Sequence, residues 1–299
     1  FIIGMPKTGT NALHALLDQD HLHRSPLTWE CLLPYPPTRP NEQASNDKIE
    51  TIENELKHLF KLVPELKRKH RNGAKSQQEC DAINMLDFNS IQTTTHAYTP
   101  SFLEWFSNES DALETMKFHK RFLQYLQSIG AKSEKWLLKS PVHINRLPEL
   151  FEVYPDAKVI ITHRDPFKVL PSTVSLYSSF RSIFSDSEDV KRTGHEQVDF
   201  WSGFFNGFVK TRKALDKEHQ IIDLKYDNFI DHPMEVLSVL YEQFQWEITE
   251  DVKIKFRNFL DTNPIKTQDS SENDLETFGI SQKEIETKFD AYLKFLRKL

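Results

Sequence analysis

Phe1-Ile2-Ile3-Gly4-Met5-Pro6-Lys7-Thr8-Gly9-Thr10-Asn11 opens the chain. The apolar triplet reads as a strand, Gly4 to Gly9 as a loop, and the segment from Thr10 to Leu17 as a helix with Leu13, Leu16 and Leu17 on one face. A loop between a strand and a helix N-terminus is where backbone amides and the helix dipole receive phosphate. Its GxxxxG spacing is that of the nucleotide-triphosphatase loop. Thr10, however, stands where that loop requires lysine, and the lysine lies inside the loop at position 7. Phosphate binding with a relocated lysine is therefore expected, with Thr8, Gly9, Thr10 and Asn11 adding donors. The chain has only 8 glycines in 299 residues, against a usual share of about 7%, so two glycines five apart carry weight. The positions of the eight exclude GxGxxG and GxSxG, the dinucleotide and hydrolase fingerprints, and no HExxH occurs.

Three further apolar runs, Trp136-Leu137-Leu138, Val159-Ile160-Ile161 and Ile221-Ile222 with Leu224, read as strands, each followed by helical patterning. Strands alternating with helices predict an α/β fold: a three-layer sandwich with a central parallel sheet covered on both faces. Between the first two strands, Pro34, Pro36, Pro37 and Pro40 form a connector. Ile49, Ile52, Leu56, Leu59 and Phe60 then recur at helical spacing within 47–60. A helix is expected from Pro100, and another from Asp111 to Ile129, stopping at Gly130. Residues 41–130 are thus expected to be a mostly helical insertion over one end of the sheet, within a single domain spanning 1–299. More helix is expected at about 232–262 and 281–298.

A net charge of −6, from 38 Lys+Arg against 44 Asp+Glu, disfavours general nucleic-acid binding. The basic run Lys67-Arg68-Lys69-His70-Arg71 reads as a solvated helix end, with a patch for an anionic substrate as the alternative. No run of 18 apolar residues occurs, so no membrane-spanning helix is expected. Two cysteines, Cys31 and Cys80, give neither a disulfide framework nor a CxxC metal site, and a cytoplasmic, reducing compartment is the expectation. Phe1 sits inside a strand with no initiator Met, so an upstream segment is expected to have been removed.

The second chemical motif is Thr162-His163-Arg164-Asp165-Pro166, with Ser172 eight residues beyond Arg164. Arg164 falls at the carboxyl end of a strand, where open parallel sheets bind ligands. Its planar fork suits phosphate oxygens, and Ser172, two turns into the next helix, would reach the same anion.

With both motifs in hand, the chain resembles the sulfotransferase superfamily, which uses 3′-phosphoadenosine 5′-phosphosulfate (PAPS). Pro6-Lys7-Thr8-Gly9-Thr10 matches its 5′-phosphosulfate loop, and Arg164 with Ser172 its 3′-phosphate site. Thr28-Trp29-Glu30, Lys139-Ser140-Pro141-Val142-His143 and His163-Arg164-Asp165-Pro166 resemble the elements of a bacterial-type group. Ala12 stands where cytosolic relatives carry an aromatic, and their RKGxxG loop is absent, with Lys266 a possible substitute cation. Tyr226, in Tyr-Asp-Asn-Phe, resembles the tyrosine that lies near the adenine.

The resemblance implies in-line sulfuryl transfer to a small-molecule hydroxyl or amine, with no metal. Lys7, the loop amides and Lys139 would neutralise the leaving phosphate. Glu30 is the preferred base, His143, on a helix from Pro141, the alternative, and His96 a lining residue of the acceptor pocket. The competing readings are a nucleotide or small-molecule kinase and a non-catalytic nucleotide-binding module.

Overall fold

The structure, a computed structural model, describes residues 1–40, 42–64, 73–130, 134–265 and 275–299. The basic run at 67–71 and Lys266 lie outside the described residues. The chain forms two compact units. A sheet unit comprises 1–23, 139–175 and 189–299, and a helical unit comprises 24–138 and 176–188.

In the sheet unit, strands β1 (Ile2–Ile3), β2 (Val159–His163) and β3 (Ile221–Lys225) form a parallel sheet in that order. Ile2 pairs with Ile160, and Val159 with Ile221 through to His163 with Lys225. Every residue of β2 is buried, as a central parallel strand demands. A parallel bridge from Ile2 to Lys139 extends the sheet beyond β1. The expected strand at Trp136-Leu137-Leu138 is shorter and earlier, Lys135–Trp136. It is Lys139, past the apolar run, that reaches β1.

Helices flank the sheet. Helix Thr10–Leu17 follows β1 directly and packs on helix Glu250–Thr262. Helix Val190–Arg212 buries Val198, Trp201, Phe205 and Phe208 at helical spacing and packs against Asp290–Leu296. The expected helix at 232–262 is broken into Pro233–Gln243 and Glu250–Thr262. Gln245 takes a positive φ there, and Thr249 caps the second piece through its hydroxyl. The one expected at 281–298 breaks at Phe289, into Gln282–Lys288 and Asp290–Leu296. The segment from Pro141 is 3₁₀, Pro141–Asn145, rather than α.

The helical unit contains Thr28–Leu32, Gln43–Leu62, Cys80–Met85, Gln92–His96, Pro100–Asn108 and Ala112–Ser128. Asp111 caps the last by accepting from Glu114 N–H at 2.9 Å, and Gly130 follows its end at φ 109°. The unit extends beyond 41–130 because Trp29 is part of its core. Trp29 clusters with Ile52 and Ala74, covered by Leu27, Leu33, Ile49 and Leu56. The 176–188 segment joins it from far along the chain. No helix among the described residues is long and apolar enough to cross a membrane.

Candidate functional site

The carboxyl ends of the three strands carry the phosphate loop (4–9), Arg164 and Tyr226. Gly4 is required by close approach: a Cβ there would overlap the Thr162 hydroxyl. Lys7 has φ 70° and Gly9 φ 86°, so the loop holds a non-glycine residue in the left-handed region. Four contacts hold that shape. Thr8 Oγ1 donates to Met5 O at 2.7 Å and Arg164 to Lys7 O at 2.9 Å, while the Thr162 and Thr173 hydroxyls lie 3.4 Å from Ile3 O and Pro6 O. Pro6 carries no N–H, and the Thr8 N–H is spent on Met5 O at 3.3 Å, so the amides offered to a ligand are those at the start of the following helix. Helix Thr10–Leu17 begins there with no side-chain cap and no acidic residue in its first turn. Its N-terminal amides and dipole favour an anion. This backbone suits the 5′-phosphosulfate end of a PAPS-type donor.

The cations converge on the same edge. Lys139 is buried, with its ammonium 2.5 Å from Asn11 Oδ1 at the helix start. The Arg164 guanidinium stacks on Tyr226, 4.1 Å from the ring centroid. A Cβ on Gly9 would lie 3.1 Å from the Tyr226 ring, so loop, arginine and tyrosine form one contiguous cluster. Thr8 and Thr10 are buried, and the Thr8 hydroxyl is engaged by Met5 O and Thr162 Oγ1, at 2.7 Å each. The Thr8 hydroxyl and N–H are thus both committed, to Met5 O and Thr162 Oγ1. Ser172 is half-buried in helix Pro166–Arg181, and its neighbour Thr173 is the residue that touches the loop.

Arg164 also borders a cavity of about 530 Å³. Four acidic side chains balance four basic ones around it.

His163 is structural. Buried between β2 and Asp290–Leu296, it hydrogen-bonds Tyr292 OH through Nδ1 at 2.9 Å and Asp223 through Nε2 at 2.8 Å. Asp223 also takes Arg212 at 2.7 Å. Burial lowers the His163 pKa, with Asp223 opposing. Burial alone would raise the Asp223 carboxyl, but His163 and Arg212 hold it below its usual value. His143 is fully buried, with the Phe1 ring edge-on at 5.6 Å.

In the helical unit, Glu30 is buried. Arg24 donates to its Oε1 at 2.5 Å and Leu27 N–H to its Oε2 at 2.9 Å. His96 is half-buried between the edges of Phe180 and Phe184, and desolvation lowers its pKa. Among the described residues no group of three or more His, Cys, Asp or Glu is disposed to hold a metal.

Sequence reasoning quoted Thr162 in its motif without a role, though the polar end of the Val-Ile-Ile-Thr-His strand was a usable signal, and missed Thr173 and Arg24, which carried none.

Comparison with known proteins points the same way. The chain is 27% identical over 253 residues to omega-hydroxy-beta-dihydromenaquinone-9 sulfotransferase Stf3 of Mycobacterium bovis and of Mycobacterium tuberculosis. That match covers 81% of this chain and 61% of theirs, so the chain spans about three-fifths of the length of those relatives. The crystal structure of sulfotransferase STF9 from Mycobacterium avium superposes with a TM-score of 0.86 at 26% identity, covering 98% of this chain and 75% of that one. STF1 from Mycobacterium tuberculosis shares the fold, with a TM-score of 0.80 at 24% identity over 97% of this chain and 75% of its own. The sequence model of the sulfotransferase family matches residues 1–251, and the chain belongs to that family.

Proposed function

We propose that the chain transfers a sulfuryl group from PAPS to the hydroxyl of a small apolar acceptor, in line and without a metal. The observation that carries this reading is the loop of residues 4–9 leading into helix Thr10–Leu17, with Lys7 in the loop, Arg164 held on the Lys7 carbonyl and Lys139 on Asn11 at the helix start. A leaving 5′-phosphate gains negative charge as the S–O bond breaks. Fixed amides, Lys7 and Lys139 stabilise that charge as it develops. Arg164, with Ser172, is assigned to the 3′-phosphate, and Tyr226 to the adenosine side.

Glu30 is assigned as the base that takes the acceptor proton. Each carboxylate oxygen makes one hydrogen bond, which leaves further lone pairs. His143 ranks below it because it is sealed in the core beside Phe1. His96 is assigned to the acceptor lining. Exposed Tyr98, Trp105 and Phe184 in the helical unit support an apolar acceptor, as does the hydroxylated menaquinone in the name of the Stf3 relatives. Two buried cysteines outside any disulfide, Cys31 and Cys80, suit a cytoplasmic location.

The test is thermal shift with adenosine 3′,5′-bisphosphate against ATP with Mg²⁺, followed by transfer of labelled sulfate in EDTA. Stabilisation by the bisphosphate and metal-free turnover are expected. A response to ATP–Mg²⁺ alone would overturn the reading.

A further inference from the structure

Arg164 leaves β2 directly after His163, and Tyr226, on which it stacks, leaves β3 directly after Lys225. His163 and Lys225 are partners in register, so arginine and tyrosine project from one rung of the sheet. The His163 ring is fastened there through both nitrogens. Arg212 lies 2.7 Å from the Asp223 carboxylate and holds Glu218 with the rest of its fork. An ionised carboxylate only accepts, so His163 donates to Asp223 through Nε2 at 2.8 Å. Burial favours the neutral imidazole, and its Nδ1 then accepts from the Tyr292 O–H at 2.9 Å.

Tyr292 belongs to helix Asp290–Leu296. It is buried, with its ring centroid 4.4 Å from that of Phe205. Its N–H donates to Asn206 Oδ1 at 3.2 Å, and Asn206 Nδ2 donates to Lys288 O at 2.6 Å, so helix Val190–Arg212 holds the start of this helix. Phe295, about one turn on, packs against His163 with ring centroids 5.6 Å apart. The helix also borders the cavity of about 530 Å³ that Arg164 and Tyr226 line, through Leu293 and through Arg297 just past its end. Residues 290–296 lie beyond 251, where the match to the sulfotransferase family model stops.

We propose that Tyr292 is a positioning residue for donor binding: through His163 it fixes the end of β2 from which Arg164 reaches the 3′-phosphate, and so makes helix Asp290–Leu296 part of the nucleotide site. This rests on the assignment of Arg164 to the 3′-phosphate. Arg164 is a long side chain on a short strand end, so a small tilt at His163 is magnified at the guanidinium. Without the hydroxyl, His163 Nδ1 loses its donor inside the core, and the ring or the helix must shift to relieve it. Fork contacts to phosphate are directional and suffer from such a shift. The 5′ end, received by the loop after β1 and its helix, is held from another strand and suffers little.

The experiment uses the full chain and calorimetry with adenosine 3′,5′-bisphosphate and adenosine 5′-monophosphate, which differ only in the 3′-phosphate. Tyr292→Phe keeps the ring and its packing and removes the hydroxyl. Affinity for the bisphosphate should fall about three- to tenfold, and for the monophosphate less than about twofold. A variant that melts earlier but keeps the wild-type ratio of the two affinities has lost a structural bond alone, and the proposal is overturned.

Wild type gives a second reading should Tyr292→Phe fail to fold. Coupling between two sites is reciprocal, so filling the 3′-phosphate site must in turn steady the helix. With both nucleotides at saturation, hydrogen exchange over residues 290–296 should be slowed at least about threefold more by the bisphosphate than by the monophosphate. Equal protection by the two overturns the proposal. Failure of the underlying assignment looks different. In that case Arg164→Ala weakens both nucleotides equally, whatever Tyr292→Phe does, and the proposal falls with it.

Discussion

In the sheet unit the cations stand at strand ends. Lys139 itself forms a parallel bridge with Ile2, and Arg164 follows β2 and is tied to the Lys7 carbonyl. In the helical unit the carboxylate assigned to proton transfer sits on a five-residue helix and is held by the Arg24 side chain and the Leu27 N–H. Their surfaces differ as well. Among the described residues the exposed large apolar side chains of the sheet unit are aliphatic: Val190, Val239, Ile254 and Leu299. Those of the helical unit include Tyr35, Phe88, Tyr98, Trp105 and Phe184. The difference teaches a division of labour. Anion binding is assigned to backbone and strand ends. Proton transfer and acceptor contact are assigned to helices, where one side chain can change the chemistry without disturbing the phosphate loop.

That division can be broken most sharply at Glu30. Glu30→Gln keeps the shape and the Leu27 N–H bond but removes the proton acceptor. A fall in kcat of about 10²–10⁴-fold is expected, with affinity for adenosine 3′,5′-bisphosphate unchanged. If calorimetry shows nucleotide affinity falling together with kcat, the two roles are not separate. Should His143→Ala cost more in kcat than Glu30→Gln, the base is the histidine and proton transfer belongs to the sheet unit.

The converse variant is Arg164→Ala. Loss of a charge-assisted fork should weaken adenosine 3′,5′-bisphosphate by about 1.5–3 kcal/mol, and the 3′-dephospho analogue by much less. A smaller loss common to both nucleotides is expected, because Arg164 also anchors the Lys7 carbonyl and covers Tyr226. Equal losses would reduce Arg164 to a loop anchor.

The units should also part under acid. His119, fully buried in the helical unit, has its pKa pushed down by burial to about 3. It stays neutral when folded and protonates near 6.5 when unfolded. Its contribution to stability is therefore complete above pH 6.5 and is lost as pH falls toward about 3, by roughly 1.4 kcal/mol per unit. His163 shifts in the same direction, but Asp223 opposes the shift. Urea unfolding at pH 7.5 and pH 5 should show a loss of about 2 kcal/mol from His119. His119→Gln should flatten that pH dependence, and a profile as steep in the variant as in wild type would place the acid sensitivity elsewhere.

Much of the sheet unit was legible because its signals are local. The Phe1-Ile2-Ile3 run, two glycines in a glycine-poor chain and the Leu13/Leu16/Leu17 stripe sit within one short stretch, and helix Thr10–Leu17 falls where they predict. Arg164 was legible from the apolar run before it. The bonds that shape the site were not. Thr8 meets Thr162 across 154 residues and Thr173 meets Pro6 across 167, distances over which no periodicity speaks. In the helical unit the Gln43–Leu62 stripe was readable, yet Lys48 lies buried among its apolar residues, and only the carbonyls of Leu33 and Pro36 explain why. Arg24 sits six residues before Glu30, a spacing with no meaning outside this particular turn.

The smallest expected effect tests how the loop is held. Thr173 is buried with its hydroxyl 3.0 Å from Val169 O and 3.4 Å from Pro6 O. Val169 O can keep its helical amide partner in Thr173→Val, so the change falls on Pro6. At 3.4 Å that bond is long, and the carbonyls of Ile3, Met5 and Lys7 remain tied by Thr162, Thr8 and Arg164. Net loss of one such neutral bond is about 0.5 kcal/mol, the low end of the usual range, so nucleotide affinity should fall only about two- to threefold. Calorimetry of Thr173→Val beside Arg164→Ala measures both on one scale. A loss above tenfold would mean that the Pro6 carbonyl is the hinge on which the amide face turns. The loop would then be a strained element held by one residue rather than a shape shared among four.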